Sequence, residues 1–217
     1  MAMNRGAVSR PRTSRDRLYD GRVPQDWLLI TVSAPGSKSS TLRVYAWRKL
    51  RSLGACYLQQ SVCLLPATPK TNRDATRLVA RLRAEGGQGD VLPIQITDPA
   101  QEHAIIERFQ RERSDEYHEI VERTRQFHDE LALERRRGRA TYTELEESDT
   151  DLSRHQKWLT AVTSRDYFGA PGAAEAQAAV TACEEALAEF ETEALAHELD
   201  TAGETAKPPL RAVDDGR

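Results

Sequence analysis

The segment from residue 27 to residue 66 constrains the fold more than any other, because strand and helix patterns follow one another in it without interruption. Residues 27–32 form a continuous apolar, β-branched run closed by Ser-Ala-Pro-Gly, which predicts a buried strand and a turn. A helix is predicted next, because apolar residues recur at helical spacing until Gly54. These residues are Leu42, Ala46, Leu50 and Leu53.

Two strands and a second helix follow along the chain. Residues 55–58 and 61–65 predict adjacent strands, with a bend or bulge at Gln59-Gln60. Asn72 is predicted to cap the second helix, and Gly86-Gly87 is predicted to end it. The segment therefore predicts the order strand, helix, strand, strand, helix.

A fourth strand is predicted over residues 91–96. Pro93 lies within it and has no backbone N–H to donate, so we expect this strand at an edge of the sheet. The last strand of a ferredoxin-like βαββαβ sheet lies at such an edge. We therefore predict an α+β protein whose residues 27–97 form a ferredoxin-like unit.

The remainder of the ordered chain is predicted to be helical, over residues 98–200. Asp98-Pro99 is a typical helix start, and a thin apolar stripe continues to about residue 137. A last helix carries apolar residues at alternating steps of four and three, which predicts a coiled-coil-like seam. These are Ala176, Val180, Cys183, Leu187, Phe190 and Ala194. An all-α hairpin or a three-helix bundle accounts for this half.

The charge is unevenly distributed, although the net charge is only −3. The first 22 residues hold six Arg and two Asp, whereas residues 183–200 hold seven acidic residues and no Lys or Arg. We predict a disordered basic arm over residues 1–26 and a disordered tail over residues 201–217. Three cysteines fit a reducing compartment, so a cytoplasmic protein is expected. The longest apolar run is too short to cross a bilayer, and no membrane partner is expected.

Three stretches carry a resemblance to a known family: WLLITVSAP, LRVYAWRKLRSLGACYLQQSVCLLP and RDYFGAP before a Glu- and Ala-rich helix. They resemble the N-terminal domain of ChrB, the chromate-resistance regulatory protein, from about Trp27 to His197. The early unit is also similar to the ferredoxin-like domain of PaaX-type repressors and to CRISPR-associated adaptation nucleases, through Gln60-Ser61-Val62. The resemblance implies a cytoplasmic bacterial protein of chromate-induced gene control, with chromate as the inducing oxyanion.

The nucleases of this fold use an Asp at the end of the first strand to hold a metal ion. The corresponding residues here are Val32-Ser33-Ala34, and no carboxylate occurs between Trp27 and Arg73. We therefore expect no enzyme, no cofactor and no metal site. A metal-dependent nuclease is the least favoured alternative, because its carboxylates would have to come from elsewhere in the chain.

Arginines of the two predicted helices are the candidate contact residues for DNA phosphate or for the chromate oxyanion. Guanidinium groups around an aromatic ring suit phosphate contact, base stacking and oxyanion capture. The candidates are Lys38, Arg43, Trp47, Arg48, Arg51, Arg77 and Arg81. A solvated helix face, with Trp47 packed on a neighbouring domain, is the alternative interpretation of this pattern.

Cysteine and histidine are the other candidate reactive groups of the chain. Cys56 and Cys63 are predicted to face each other across a tight turn, so a redox role is conceivable, although two buried strand thiols are the simpler interpretation. Asp115 and His118 form half of a di-metal carboxylate motif, and the second half is absent from the sequence.

Two functions from different classes follow from these observations. The first is a non-enzymatic regulator of chromate resistance, with promoter DNA as a partner, chromate as an effector and a homodimer as its assembly. The second is a protein-protein interaction module without DNA binding, which docks through the acidic last helix and the amphipathic long helix. No helix-turn-helix stands out in the sequence, so DNA binding is implied by the resemblance alone.

Overall fold

The computed structural model of the protein describes residues 26–34, 39–138 and 141–205. These residues form four strands and five helices. In chain order they are β1 (Asp26–Ser33), α1 (Ser39–Ser52), β2 (Cys56–Gln59), β3 (Val62–Pro66), α2 (Pro69–Ala84), β4 (Gln88–Gln95), α3 (Pro99–Arg136), α4 (Tyr142–Thr163) and α5 (Ala173–Thr205). Most of the predicted basic arm and of the predicted tail lies outside the described residues, while residues 201–205 continue α5.

The four strands form one antiparallel sheet in the order β2-β3-β1-β4. The predicted α+β class is confirmed, and the order of elements is the βαββαβ of a ferredoxin-like unit. β4 lies at the edge of the sheet, as Pro93 predicts, and Pro93 is paired in register with Leu28 of β1. A register shift between Tyr57 and Gln59 is the irregularity expected near the β2–β3 link.

Two boundaries differ from the prediction. Thr68, not Asn72, caps α2: its hydroxyl accepts a hydrogen bond from the Thr71 amide at 3.1 Å, and the Thr71 hydroxyl accepts one from the Thr68 amide at 2.9 Å. The helix therefore starts one turn earlier, because Thr and the following Pro supply both start signals. β4 starts at Gln88 rather than at residue 91, because Gly89 permits close pairing with β1.

The chain divides into two compact units, one ending at Phe109 and the other starting at Gln110. The core of the first unit combines β1 with the apolar faces of α1 and α2, and the four apolar residues that predicted α1 are all buried. Trp27 is fully buried, and its indole N–H donates to the Glu102 carboxylate at 2.9 Å. The Trp27 ring also lies 5.8 Å from that of Phe109. The first turns of α3 are therefore part of the first core.

The second unit consists of the rest of α3 with α4 and α5. All six predicted seam residues of α5 are buried, so the seam is confirmed. They pack in one cluster with Tyr117, Ile120 and Phe127 of α3 and with Leu152, Leu159 and Val162 of α4. None of the helices in the described ranges has the length and apolarity that a membrane span requires.

The segment after α4, which contains RDYFGAP, is a turn fastened to α3. Asp166 accepts hydrogen bonds from the Ala170 amide at 3.0 Å and from the Tyr117 hydroxyl at 3.2 Å. Gln110 donates to the Phe168 carbonyl and Ser114 to the Pro171 carbonyl. These polar contacts give this motif a structural role in linking two helices.

Candidate functional site

Basic residues are concentrated on the two helices of the first unit. Residues 39–84 contain nine Lys or Arg and one acidic residue, Asp74, in a chain whose net charge is −3. The five arginines predicted from the sequence are all exposed. They are Arg43, Arg48, Arg51, Arg77 and Arg81, and together they are called the basic belt below. The sixth predicted cation, Lys38, lies outside the described residues.

The stripe on α1 forms as predicted. Arg43, Trp47 and Arg51 follow one another at four-residue steps, and the Arg51 guanidinium lies 5.3 Å from the centre of the Trp47 ring. Trp47 is 46% exposed, which is unusual for a large aromatic side chain. The ring and two guanidinium groups therefore form one surface that is available to a partner.

The other end of the belt lies between α1 and α2. The Arg81 guanidinium stacks over Tyr45 at 4.0 Å and pairs with Glu85 at 2.7 Å. The hydrogen bond to Glu85, and then that to Tyr45, raise the pKa of Arg81 above its usual value. Arg81 already has an anionic partner, so it offers less to a ligand than Arg48 or Arg51.

Helix geometry relates the two groups of arginines. At about 100° per residue, Tyr45 lies roughly 160° around α1 from Trp47, so Arg81 and the stripe are on different sides of the helix. Arg48 lies between Tyr45 and Trp47 around the helix, roughly 60° from Tyr45 by the same geometry. The arginines of α1, together with Arg81 of α2 on the Tyr45 ring, thus lie on more than one side of α1 rather than on one flat face.

A pocket of about 240 Å³ lies beside the stripe, entirely within the first unit. Arg43 and Trp47 of α1 line it together with Tyr57 of β2. The other lining residues are Val32, Ser33, Ala34, Val44, Ala46, Gln60, Ser61 and Leu82. The Tyr57 hydroxyl is buried and has no hydrogen-bond partner in the described part of the chain. Burial, and secondarily Cys63, raises the pKa of Tyr57 to about 12, so the hydroxyl keeps its proton.

The two strand cysteines do not face each other, contrary to the prediction. In the register of the sheet Cys63 is opposite Tyr57, and Cys56 is opposite Leu64. Successive strand residues point to opposite faces, so in this register the Cys56 and Cys63 side chains point to opposite faces of the sheet. Burial, and then Cys56, raises the pKa of Cys63 to about 12, which disfavours the reactive thiolate.

The remaining candidate groups lie in the helical unit. Cys183 is buried at its seam position, with Sγ 3.6 Å from Nε2 of His128, and burial raises the pKa of its thiol to about 11. Asp115 and His118 are both exposed on α3. Within the described ranges, no group of three or more His, Cys, Asp or Glu residues is placed to hold a metal ion.

A protein-family model described as Protein ChrB, N-terminal, matches residues 43–201. The chain belongs to this family. It is also 30% identical over 154 residues to Protein ChrB of Cupriavidus metallidurans, a match that covers 70% of this chain and 43% of that protein. The chain thus spans less than half of this curated relative. No solved structure matches.

The match to the ChrB family includes every residue of the basic belt, and it begins at Arg43. It also includes the turn that follows α4, whose sequence contributed to the resemblance.

Two residues of the site were not predicted from the sequence. Tyr45 appeared to be an ordinary helix residue, and only the approach of α2 brings Arg81 onto its ring. Tyr57 appeared to be a strand residue, and the structure shows that it lines a pocket with residues of α1 and that its hydroxyl is buried. A Tyr three residues before the Gln60-Ser61 turn was the available signal, since a buried phenol requires a polar partner.

Proposed function

We propose that this chain is a non-enzymatic regulatory protein of chromate resistance that binds DNA through the basic belt. The observation that carries the proposal is the exposed belt on α1 and α2, where nine basic residues accompany one acidic residue. Membership of the ChrB family supports the assignment to chromate resistance. The chain covers only part of its curated relative, so the activity of a whole ChrB protein is part of the proposal.

The chemistry of the belt suits DNA phosphate. Arg guanidinium groups donate paired hydrogen bonds to phosphate oxygens, and neutralised phosphates release their counterions. Arg48 and Arg51 are exposed on the last turns of α1, and Trp47 adds an aromatic surface beside them. Because the chain as a whole is acidic, such binding requires the local concentration of positive charge on these two helices.

The effector, the oligomeric state and the absence of catalysis are also part of the proposal. We infer a cytoplasmic homodimer that responds to chromate, with promoter DNA as its partner and no cofactor. The end of β1 supports a non-enzymatic role, because Val32-Ser33-Ala34 offers no carboxylate to a metal ion.

The test is a gel-shift titration on duplex DNA from upstream of the encoding gene, with and without chromate. The variant Arg48→Gln/Arg51→Gln removes two belt charges and is expected to weaken binding about tenfold or more. Arg125→Gln/Arg154→Gln is the matched control, because it removes two exposed charges from the helical unit. Equal binding by wild type and the belt variant would contradict the proposal.

A second candidate is a protein interaction module that docks through α5. Glu184, Glu185, Glu189, Glu191 and Glu193 are exposed on this helix. Arg135 of α3 pairs with Glu193 at 2.9 Å and with Glu189 at 3.6 Å, so part of this charge is already neutralised. Two results together would favour this candidate. The wild-type protein would not bind DNA, and the variant Glu185→Gln/Glu191→Gln would no longer capture a bacterial protein that the wild type binds.

A further inference from the structure

We propose that the pocket beside α1 binds a small amphipathic organic anion, whose charged end meets Arg43 and whose apolar body contacts Trp47. This inference does not rest on DNA binding, because the pocket shares only Arg43 with the basic belt and its ligand can be tested without DNA. Its residues come from β1, α1, α2 and the β2–β3 hairpin, which are neighbours in one folded unit.

The Tyr57 hydroxyl is the first observation that points to a ligand. A buried hydroxyl without a partner destabilises a protein, because the hydrogen bonds that it made to water are not replaced. This hydroxyl has no hydrogen-bond partner among the described residues, and its side chain lines the pocket. Because it stays protonated, it can donate a hydrogen bond to an acceptor that enters the cavity.

The lining determines the class of ligand. Arg43 is the only charged residue among the described residues that line the pocket, and it is exposed. Most of the remaining wall is aliphatic or aromatic, formed by Val32, Ala34, Val44, Ala46, Trp47 and Leu82. One guanidinium beside an apolar wall matches a ligand with one anionic end and a hydrocarbon or aromatic body.

An inorganic oxyanion fits this lining less well. A sulfate-like ion has charge on all sides and loses its hydration on entry, so it requires several donors around it. The pocket offers one guanidinium and a phenol, with the Ser33, Gln60 and Ser61 side chains as its other polar lining groups. About 240 Å³ of space is also more than such an ion fills, whereas an aromatic acid fills it better.

Binding can be measured by calorimetry and by NMR, without DNA, using benzoate, 2-naphthoate and hexanoate as probes. Benzamide serves as the uncharged analogue of benzoate, and sulfate serves as the inorganic oxyanion. We expect saturable binding of at least one carboxylate, weaker binding of benzamide and no competition by sulfate. Failure of all three carboxylates to bind, or displacement of the bound carboxylate by sulfate at equal concentration, would overturn the proposal.

Two substitutions locate the site. Arg43→Gln is expected to abolish the preference for benzoate over benzamide, while Arg154→Gln, in the helical unit, leaves it unchanged. Tyr57→Phe is expected to weaken carboxylate binding about tenfold, which corresponds to one hydrogen bond. This variant should remain folded, since it removes a hydroxyl that has no partner, and its unliganded thermal stability should equal or exceed that of the wild type. Unchanged affinity in both Arg43→Gln and Tyr57→Phe would overturn the proposal.

Discussion

Glu102 is 5% exposed, and the indole N–H of Trp27 donates to its carboxylate at 2.9 Å. Replacing Trp27 with Phe keeps an aromatic ring but removes that donor from a buried charge. We expect the unfolding free energy to fall by about 2–3 kcal/mol, measured by urea denaturation.

A double variant separates the hydrogen bond from the packing. Glu102→Gln removes the buried carboxylate. It should therefore lower the unfolding free energy by less in the Trp27→Phe variant than in the wild type. A strictly additive double variant would show that Trp27 acts through its volume alone.

His155 is expected to make stability depend on pH. Burial lowers the pKa of His155 below its ordinary 6.5, with a smaller contribution from Arg123, while Asp151 and Glu130 act in the opposite direction. His155 is therefore protonated at a higher pH in the unfolded chain than in the folded chain. Protonation favours the unfolded chain, so the unfolding free energy should fall as the pH drops below about 6.5. Urea denaturation at about pH 7.5 and about pH 5.5 measures the effect.

The substitution His155→Gln should reduce this loss at acid pH. His118→Gln is the control, because His118 is exposed in the same helical unit. Identical pH dependence in wild type and His155→Gln would show that other groups cause the acid sensitivity.

At the level of the elements, the start of α2 depends on a reciprocal pair of hydroxyl groups. Thr68 and Thr71 each accept a hydrogen bond from the other's amide, whereas Asn72 lies exposed within the first turns. We expect Thr68→Ala to lower the unfolding free energy by about 1 kcal/mol. Asn72→Ala should change the unfolding free energy by about 0.5 kcal/mol or less. A larger loss for Asn72→Ala than for Thr68→Ala would show that Asn72 caps the helix.

The pairing of β4 with β1 depends on a missing side chain. A Cβ at Gly89 would lie 2.5 Å from the Thr31 carbonyl oxygen, while one at Gly86 would meet nothing within 4 Å. Gly86 has φ +85°, so Gly86→Ala should destabilise the protein by about 1 kcal/mol through backbone strain. Gly89→Ala should cost about 2–3 kcal/mol, since β4 must move away from β1. Equal melting temperatures for the two variants would contradict this account of the strand.

Periodicity predicted the elements well because each helix and strand buries one continuous side. The residues of the α1 core and of the α5 seam were therefore visible in the sequence, and Pro93 identified the edge strand. Contacts between segments that are distant along the chain could not be predicted from the sequence. Arg113, for example, lies in a highly charged stretch, yet it is 5% exposed and pairs with Glu116, which also pairs with Arg165. The pocket was not predicted for the same reason, because its walls come from four segments.

At the scale of the whole molecule, the two units differ in charge. Residues 39–84 are strongly basic, whereas α5 contains nine acidic residues and no Lys or Arg. The net charge of the chain conceals this difference. A surface that binds DNA should therefore lie on the first unit, and the acidic helix should contribute nothing to the affinity.

The salt dependence of DNA binding tests the proposed function most directly. Affinity is measured by fluorescence anisotropy on the same upstream duplex, between about 50 mM and about 200 mM salt. The slope of log affinity against log salt is negative, and each lost phosphate contact reduces its magnitude by about 0.9, so Arg48→Gln/Arg51→Gln should make it less steep by about 2. Arg125→Gln/Arg154→Gln should keep the wild-type slope. Absence of DNA binding, or one slope shared by all three proteins, would contradict the account.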